Sequence, residues 1–155
     1  MNQPEQQNPD PISYYIGHLY RLGSMQLSKD LAPFSLGYGQ YLFLIHLYAQ
    51  DGLKHEDLTA RLHVDKSTTT RAITKLCEAG YVTVAPDADK RKYTIHLTEK
   101  ARRDKAAILA IGSRWEETLA EGLAPQEKSE LFRLLQKITV HQHARTDAAP
   151  GEATD

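Results

Sequence analysis

The chain has 155 residues, of which 41% are hydrophobic and 25% are charged. This composition is typical of globular proteins, and the length predicts one domain with a substantial core. A single cysteine excludes an internal disulfide and a zinc site with four cysteine ligands. No segment approaches the ~18 consecutive apolar residues of a membrane-spanning helix, and the first residues lack an export signal. We therefore expect no membrane partner and a cytoplasmic location.

The formal net charge of -1 hides an uneven distribution of charge. Residues 54–105 carry 12 Lys and Arg against 8 Asp and Glu, whereas the rest of the chain carries 7 against 12. A basic segment on an acidic scaffold is compatible with nucleic-acid binding. The asymmetry is modest, so the argument for such a partner depends on the motifs of the basic segment.

Two helices are predicted before the basic segment. Residues 1–10 are rich in Gln, Asn and Pro and predict a disordered tail. From Pro11 onward, apolar or small residues recur every three or four positions, which predicts an amphipathic helix that ends before Pro33. These residues are Ile12, Ile16, Leu19, Gly23 and Leu27. A second helix, at about 37–49, is apolar on nearly all sides and is predicted to be buried at the centre of the fold.

A helix-turn-helix pattern follows the second helix. A short helix is predicted at about 55–62, and Asp65 can cap a further helix at 66–79, which Gly80 ends. The inward stripe of this further helix is Thr69, Ala72, Ile73, Leu76 and Cys77. We therefore expect Cys77 to be buried in the core, where a thiol is a poor redox sensor.

The outward face of the same helix carries short hydroxyls and cations. Its residues are Lys66, Ser67, Thr68, Thr70, Arg71, Thr74 and Lys75, followed by Glu78. Such side chains can lie close to a DNA duplex, donate to phosphates and reach base edges in the major groove. An ordinary solvated surface is the alternative interpretation of this face.

Two β-rich segments, at 81–84 and 93–97, alternate as half-buried strands do. The loop between them contains the cationic run Lys90, Arg91 and Lys92. Beside a helix in the major groove, such a hairpin tip would meet the DNA backbone or the adjacent minor groove, whose negative potential attracts arginine. The whole segment therefore predicts a winged helix-turn-helix.

The C-terminal part predicts two more helices. Thr98 caps the first, which extends to about residue 121 and begins with cations for which phosphate contact is one interpretation; these are Lys100, Arg102, Arg103 and Lys105. Pro125 begins the second, whose apolar stripe needs a partner and consists of Leu131, Leu134, Leu135 and Ile138. Because the first helix of the chain has the same need, we predict a homodimer in which both ends meet across a two-fold axis.

In their order and spacing, the segments VDKSTTTRAITKLCEAGYV, DADKR and LTEKA resemble the MarR family of bacterial transcription regulators. The resemblance covers nearly all of residues 11–143. It implies a mainly α fold with a small β-hairpin wing, a winged helix-turn-helix at about 37–97, and dimerisation helices at about 11–32 and 98–143. Residues 144–155 are left as a disordered tail. The chain departs from the family pattern at Lys54, Val84 and Ala101.

The resemblance also implies a function and a set of DNA contacts. It implies a sequence-specific regulator, in most cases a repressor, that binds a near-palindromic site on double-stranded DNA and is released by a small effector. Asp89 would be a brace for nearby arginines, and Arg91 would enter the minor groove. The remaining candidates for DNA contact are Lys66, Ser67, Thr68, Thr70, Arg71, Lys75 and Lys90.

Relatives bind small aromatic or anionic effectors between the dimerisation helices and the DNA-binding module. In this chain, tyrosine and histidine side chains near an arginine could take an aromatic acid, whose carboxylate would pair with the guanidinium. The candidates are His18, Arg21, Tyr38 and Tyr41. Packing in an aromatic core is the alternative interpretation.

Other functions have less support from the sequence. The seven histidines are scattered, and residues 98–121 contain none, whereas the zinc-sensing relatives use histidines on this helix, so no metal or other cofactor is predicted. The chain has no nucleophile elbow, phosphate-binding loop or zinc-protease motif, which argues against an enzyme. The remaining alternative is a winged helix that binds proteins without sequence-specific DNA binding. It explains the near-neutral charge, but not why the helix and the wing both present cations.

Overall fold

The computed structural model describes residues 10–89 and 92–148. Chain contacts divide it into two compact units, Met1–Trp115 and Glu116–Asp155. In chain order, the elements are α1 (Ile12–Leu31), a 3-10 turn (Ala32–Phe34), α2 (Tyr38–Ala49), β1 (Leu53–Lys54), α3 (His55–Leu62), α4 (Lys66–Glu78), β2 (Val82–Pro86), β3 (Tyr93–Leu97), α5 (Glu99–Ala120) and α6 (Pro125–Ala148). The predicted mainly α fold with a small wing is confirmed.

Helix α2 lies at the centre of the core, as its apolar sequence predicts. Phe43, Leu44 and Leu47 are buried, and the backbone N–H of Gly37 at its start donates to Gln40 Oε1 at 2.9 Å. The Tyr48 hydroxyl, near its end, donates to the carbonyl oxygen of Ala101 at 2.7 Å. This buried bond satisfies a polar group inside the core and ties α2 to the first turn of α5.

Helix α1 buries only the last part of its predicted apolar stripe. Gly23 and Leu27 are buried, and the Trp115 ring of α5 lies against Gly23. Ile12, Ile16 and Leu19 are exposed by 71%, 46% and 48%. The first half of α1 therefore presents an uncovered apolar face in the single chain.

Helices α3 and α4 are joined through a pair of threonines. Thr69 is fully buried on the inward face of α4, and its hydroxyl lies 2.8 Å from that of Thr59 on α3. Leu58 of α3 and Leu76 of α4 are fully buried beside them. The hydrogen bond between the hydroxyls explains how a polar residue is accommodated in the inward stripe.

The sheet has three antiparallel strands in the order β1-β3-β2, one more than the predicted hairpin. Leu53 of β1 pairs with Ile95 of β3, and two residues are too few for β1 to show alternation in the sequence. Val82 and Ile95 are buried, but Val84 and Tyr93 are exposed by 44% and 52%. The predicted half-buried alternation thus holds only at the base of the hairpin.

The C-terminal end of α4 is closed by the residues that begin α5. Gly80, which follows the helix, has a φ of +82°, as is common for glycine just past a helix end. Its carbonyl oxygen accepts from the Thr98 hydroxyl at 2.6 Å, and that of Ala79 accepts from Lys100 Nζ at 2.6 Å. Tyr81 is fully buried between these segments, and its hydroxyl lies 3.2 Å from Asp104 Oδ2.

Helix α6 extends beyond its predicted end. It continues to Ala148, so the part of the expected disordered tail at 144–148 is helical. Ala144 and Arg145 favour helix, and Pro150 is the first residue after them that breaks one. Residues 1–9 and 149–155 of the predicted tails lie outside the described residues. Within the described residues, no helix combines the length and the apolar character needed to cross a bilayer.

Close packing of α2 on α5 at Gly112 provides a test of this core. A Cβ added at Gly112 would overlap the Tyr41 hydroxyl, so we expect Gly112→Ala to destabilise the fold by about 1–3 kcal/mol. Urea unfolding followed by circular dichroism measures the change. Gly39→Ala is the matched control, because an added Cβ meets nothing within 4 Å there, and it should be neutral or stabilise the fold by about 0.4–1 kcal/mol.

The same overlap predicts a partial rescue. Tyr41→Phe removes the hydroxyl that the added methyl group would meet, so the double variant should recover part of the lost stability. Additive effects of Gly112→Ala and Tyr41→Phe would contradict the packing described here.

Candidate nucleic-acid interface

The outward face of α4 collects the six helical candidates. Lys66, Ser67, Thr70, Arg71 and Lys75 are exposed, and Thr68 is half-buried. The helical repeat places residues three and four apart side by side, so hydroxyls and cations alternate along this surface. The face is therefore accessible and rich in hydrogen-bond donors.

A chain of hydrogen bonds orders the N-terminal part of this face. As predicted, Asp65 caps α4: the Thr68 backbone N–H donates to Asp65 Oδ1 at 2.7 Å, and the Thr68 hydroxyl donates to Oδ2 at 3.0 Å. Arg71 Nη2 donates to the same hydroxyl oxygen at 3.1 Å. The bond from the Thr68 amide is the main cause of a lowered pKa for Asp65, which keeps the cap ionised. Arg71 is thereby held at the surface with further donors left to use.

Thr70 is held by a residue that the sequence argument did not single out. Its hydroxyl donates to the carbonyl oxygen of Lys66 at 2.9 Å and lies 3.1 Å from His55 Nε2. Because a carbonyl oxygen only accepts, the hydroxyl proton is committed to Lys66 and His55 is the donor in the second bond. Thr70 then presents its methyl group and one acceptor lone pair. His55 is 15 residues away along the chain, so no local pattern reveals this contact.

The wing is anchored by residues on both sides of its tip. The Asp87 backbone N–H donates to the Lys92 carbonyl oxygen at 2.9 Å, and the Lys92 N–H donates to the Asp89 carbonyl oxygen at 2.8 Å. Lys90 and Arg91 lie outside the described residues, so their DNA contacts stay predictions, as does the role of Asp89 as a brace for arginine.

Two ion pairs that were not predicted from the sequence connect the wing to the junction of β1 and α3. Lys54 Nζ lies 3.1 Å from Asp87 Oδ2, and Lys92 Nζ lies 3.0 Å from Glu56 Oε1. The hydrogen bond from Lys54 is the main cause of a lowered pKa for Asp87. Glu56, followed by smaller contributions from Asp89 and Asp87, raises the pKa of Lys92.

Most of the cations at the start of α5 have structural partners within the chain. Lys100 donates to the end of α4, as described above, and Lys105 Nζ lies 3.4 Å from the Tyr48 carbonyl oxygen. Arg102 Nη2 lies 2.9 Å from Asp51 Oδ2, and its Nη1 donates to the Leu97 carbonyl oxygen at 3.0 Å. Lys100, Arg102 and Lys105 therefore each have a partner within the chain, and their contact with phosphate stays a prediction.

The effector candidates fall into two groups. Tyr38 and Tyr41 on α2 stack with ring centroids 6.5 Å apart, and Tyr20 of α1, which was not predicted, meets Tyr38 edge to face at 5.8 Å. His18 and Arg21 are exposed on α1, and His18 stacks on Tyr14 at 6.2 Å. Among the described residues, the observed ring contacts connect the two tyrosines of α2 with Tyr20 and not with His18.

The expectation that Cys77 is buried is wrong. Its side chain is exposed, because it lies one residue past buried Leu76 and so at the edge of the inward stripe. Partial desolvation, followed by the nearby Glu78 carboxylate, raises the pKa of the thiol and keeps it protonated. No cluster of three His, Cys, Asp or Glu side chains suited to a metal occurs in the described part of the chain.

The Asp65 cap predicts a dependence of stability on pH. A carboxyl group whose pKa is lowered by folding stabilises the fold above its ordinary value of 3.8, and this contribution is lost as the pH falls through the lowered pKa. Asp65→Asn keeps a capping oxygen and removes the charge. The variant should therefore melt below the wild type at about pH 7, and the difference should vanish at about pH 2. Equal melting temperatures at neutral pH would contradict this prediction.

Comparison with known proteins agrees with this architecture. The model of the MarR family matches residues 36–93. The uncharacterized HTH-type transcriptional regulator YybA of Bacillus subtilis (strain 168) is 32% identical over 111 residues, which cover 71% of this chain and 72% of that protein. The HTH-type transcriptional regulator BilQ of Clostridioides difficile (strain CD3) is 27% identical over 130 residues, which cover 83% of this chain and 88% of that protein.

Solved structures extend the comparison to nearly the whole chain. A MarR transcriptional regulator from Methanosarcina mazei Go1 superimposes with a TM-score of 0.79 at 34% identity, over 86% of this chain and 90% of that one. A MarR protein from Peptoclostridium difficile DA00132 gives a TM-score of 0.85 at 28% identity, over 94% and 95% of the two chains. The chain belongs to the MarR family of transcriptional regulators.

Proposed function

We propose that this regulator binds a near-palindromic operator as a homodimer, that it acts as a repressor, and that a small effector releases it. The observation that carries the proposal is the ordered outward face of α4, in which Asp65 holds Thr68 and Thr68 holds Arg71. A guanidinium held in place loses less conformational freedom on binding and can direct two parallel donors to one guanine.

The other side chains of this face divide into two roles. Lys66, Ser67 and Lys75 supply donors suited to phosphate oxygens, which position the protein without reading sequence. Thr70 offers a methyl group and an acceptor, which match the thymine methyl or the amino groups of adenine and cytosine. Arg71 and Thr70 are therefore the proposed base readers.

A homodimer is supported by two exposed apolar faces. On α1 the face contains Ile12, Ile16 and Leu19, and on α6 it contains Leu131 and Leu135, which are 47% and 44% exposed. Apolar faces of this extent favour association. One recognition helix reads only a few base pairs, so two copies about 34 Å apart are needed for affinity and select a near-palindromic site. The Staphylococcus aureus protein MepR, solved in complex with DNA, has the same fold with a TM-score of 0.80 at 23% identity, over 86% of this chain and 99% of that one.

Release by an effector is proposed at the tyrosines between α1 and α2. Tyr20, Tyr38 and Tyr41 form a row of rings, and Tyr41 also packs against Gly112 of α5. A small aromatic acid inserted into this row would shift α2, which also packs against α4. Such a shift would change the spacing of the two recognition helices. Arg21, which follows Tyr20 on α1, remains the proposed partner for the acid group, whereas His18 stacks on Tyr14 outside this row.

Substitution of Arg71 and Lys75 separates base reading from phosphate contact. Arg71→Ala should relax the preference for operator over random DNA by about 1–3 kcal/mol. Lys75→Ala should weaken both complexes alike and lower the slope of log K against log salt by about 1. Fluorescence anisotropy with the upstream intergenic DNA and a scrambled duplex, across salt concentrations, measures both effects.

Lys29→Ala is the control, because it removes an exposed cation from the last turn of α1 without altering α4. Equal losses on operator and random DNA for Arg71→Ala would refute its assignment as a base reader. If the wild type binds neither duplex at low salt, the protein-interaction module described above becomes the better explanation.

Substitution on α6 tests the dimer. Leu135→Glu places a charge in the proposed interface, so we expect a monomer in sedimentation equilibrium and weaker operator binding. Val140→Glu is the matched control: Val140 is 68% exposed and lies about half a turn away from the stripe of Leu131 and Leu135. A Leu135→Glu variant that remains dimeric would exclude this face from the interface.

A further inference from the structure

The distal end of the wing, where β2 and β3 lead into the tip, is contacted from both sides by one short segment of the chain. We define the wing stem as Asp87, which follows β2, and Lys92, which precedes β3. The stem residues are bonded to each other through the Asp87 N–H and the Lys92 carbonyl oxygen at 2.9 Å. Lys54 pairs with Asp87 at 3.1 Å, and Glu56 pairs with Lys92 at 3.0 Å. Each side of the hairpin therefore has its own ionic contact.

Lys54 and Glu56 both lie at the junction of β1 and α3, which is packed into the fold. Lys54 ends β1, which pairs with β3 through Leu53 and Ile95, and Glu56 lies in the first turn of α3. Helix α3 is in turn joined to α4 by the hydrogen bond between the hydroxyls of Thr59 and Thr69. The wing stem is thus connected to α4 through a continuous series of contacts.

The two pairs have to be considered together. A single exposed ion pair contributes little to stability, because water screens it and two long side chains lose freedom. Here two pairs act on the two strands of one narrow hairpin, at the end where both strands lead into the tip. We therefore expect the two ion pairs to affect the orientation of the wing more than the free energy of unfolding.

We propose that Lys54 and Glu56 are positioning residues for DNA binding, which hold the distal end of the wing near the junction of β1 and α3 and so set the direction in which the wing points. The inference rests on the proposed function, since the wing needs a direction only if it meets DNA beside the recognition helix. In the opposite interpretation, Glu56 is a surface carboxylate whose only effect on DNA is repulsion of phosphates.

The first test needs no DNA. Amide hydrogen exchange at the wing stem of the full chain should be about 2- to 5-fold faster in Glu56→Gln than in the wild type, the range that a surface ion pair supports. High salt should speed the wild type in the same way, because it screens the pairs. The charge-swapped double variant, Glu56→Lys with Lys92→Glu, should restore slow exchange. Unchanged exchange in Glu56→Gln would overturn the proposal.

The second test uses the sign of the change in affinity. Loss of a carboxylate near DNA ordinarily strengthens binding to every duplex. If Glu56 positions the wing, Glu56→Gln should instead weaken binding by about 2- to 5-fold to an operator with full flanks. The loss should disappear on a duplex trimmed of the flanks that the wing would reach. The control is Glu78→Gln, which removes an exposed carboxylate from α4 and should strengthen binding to both duplexes.

The outcomes separate the two proposals. Stronger binding of Glu56→Gln to both duplexes would overturn the positioning role and leave the proposed function intact. Faster exchange in Glu56→Gln would show that the ion pairs restrain the wing stem. If the wild type at the same time does not discriminate between operator and random DNA, sequence-specific binding is refuted.

Discussion

The closure of the C-terminal end of α4 by the start of α5 is the contact on which the geometry of the candidate DNA-binding surface depends. The last carbonyl groups of a helix have no partners within it. Here Thr98 and Lys100 donate to Gly80 and Ala79, although about twenty residues separate the two segments. Both wing strands run between these segments, so one set of hydrogen bonds fixes where α4 ends and where the hairpin returns to the body of the protein. Buried Tyr81 fills the space that this closure encloses.

Features set by neighbouring residues could be predicted from the sequence, and features set by distant residues could not. The Asp65 cap and the Gly80 exit act within one helical turn, and both occur where the sequence placed them. The two-residue strand β1 exists only because β3 comes alongside it, and His55 meets Thr70 only once α3 has packed on α4. The exposure of Cys77 was missed because a position at the edge of an apolar stripe is decided by what packs there.

Cations were the residues whose partners the sequence predicted least well. Lys100, Arg102 and Lys105 cluster next to the DNA-binding module in the sequence, but each donates to a group within the chain. The cations on α4 differ, because the helix directs them away from the core and a carboxylate holds Arg71 only through Thr68. A basic run therefore marks a candidate surface, and the internal hydrogen bonds decide which of its members are available to a ligand.

The ion pairs at the wing stem also affect what the protein exchanges with the surrounding solution. A lysine that approaches DNA alone frees the small cations condensed on the phosphate it meets, by about 0.9 of a counterion per phosphate. Lys54 and Lys92 are already neutralised by Asp87 and Glu56, so they bring no net charge to the complex. Operator binding by this chain should therefore release fewer ions than its basic residues suggest, and the fraction of operator occupied should vary less with the salt concentration inside the cell.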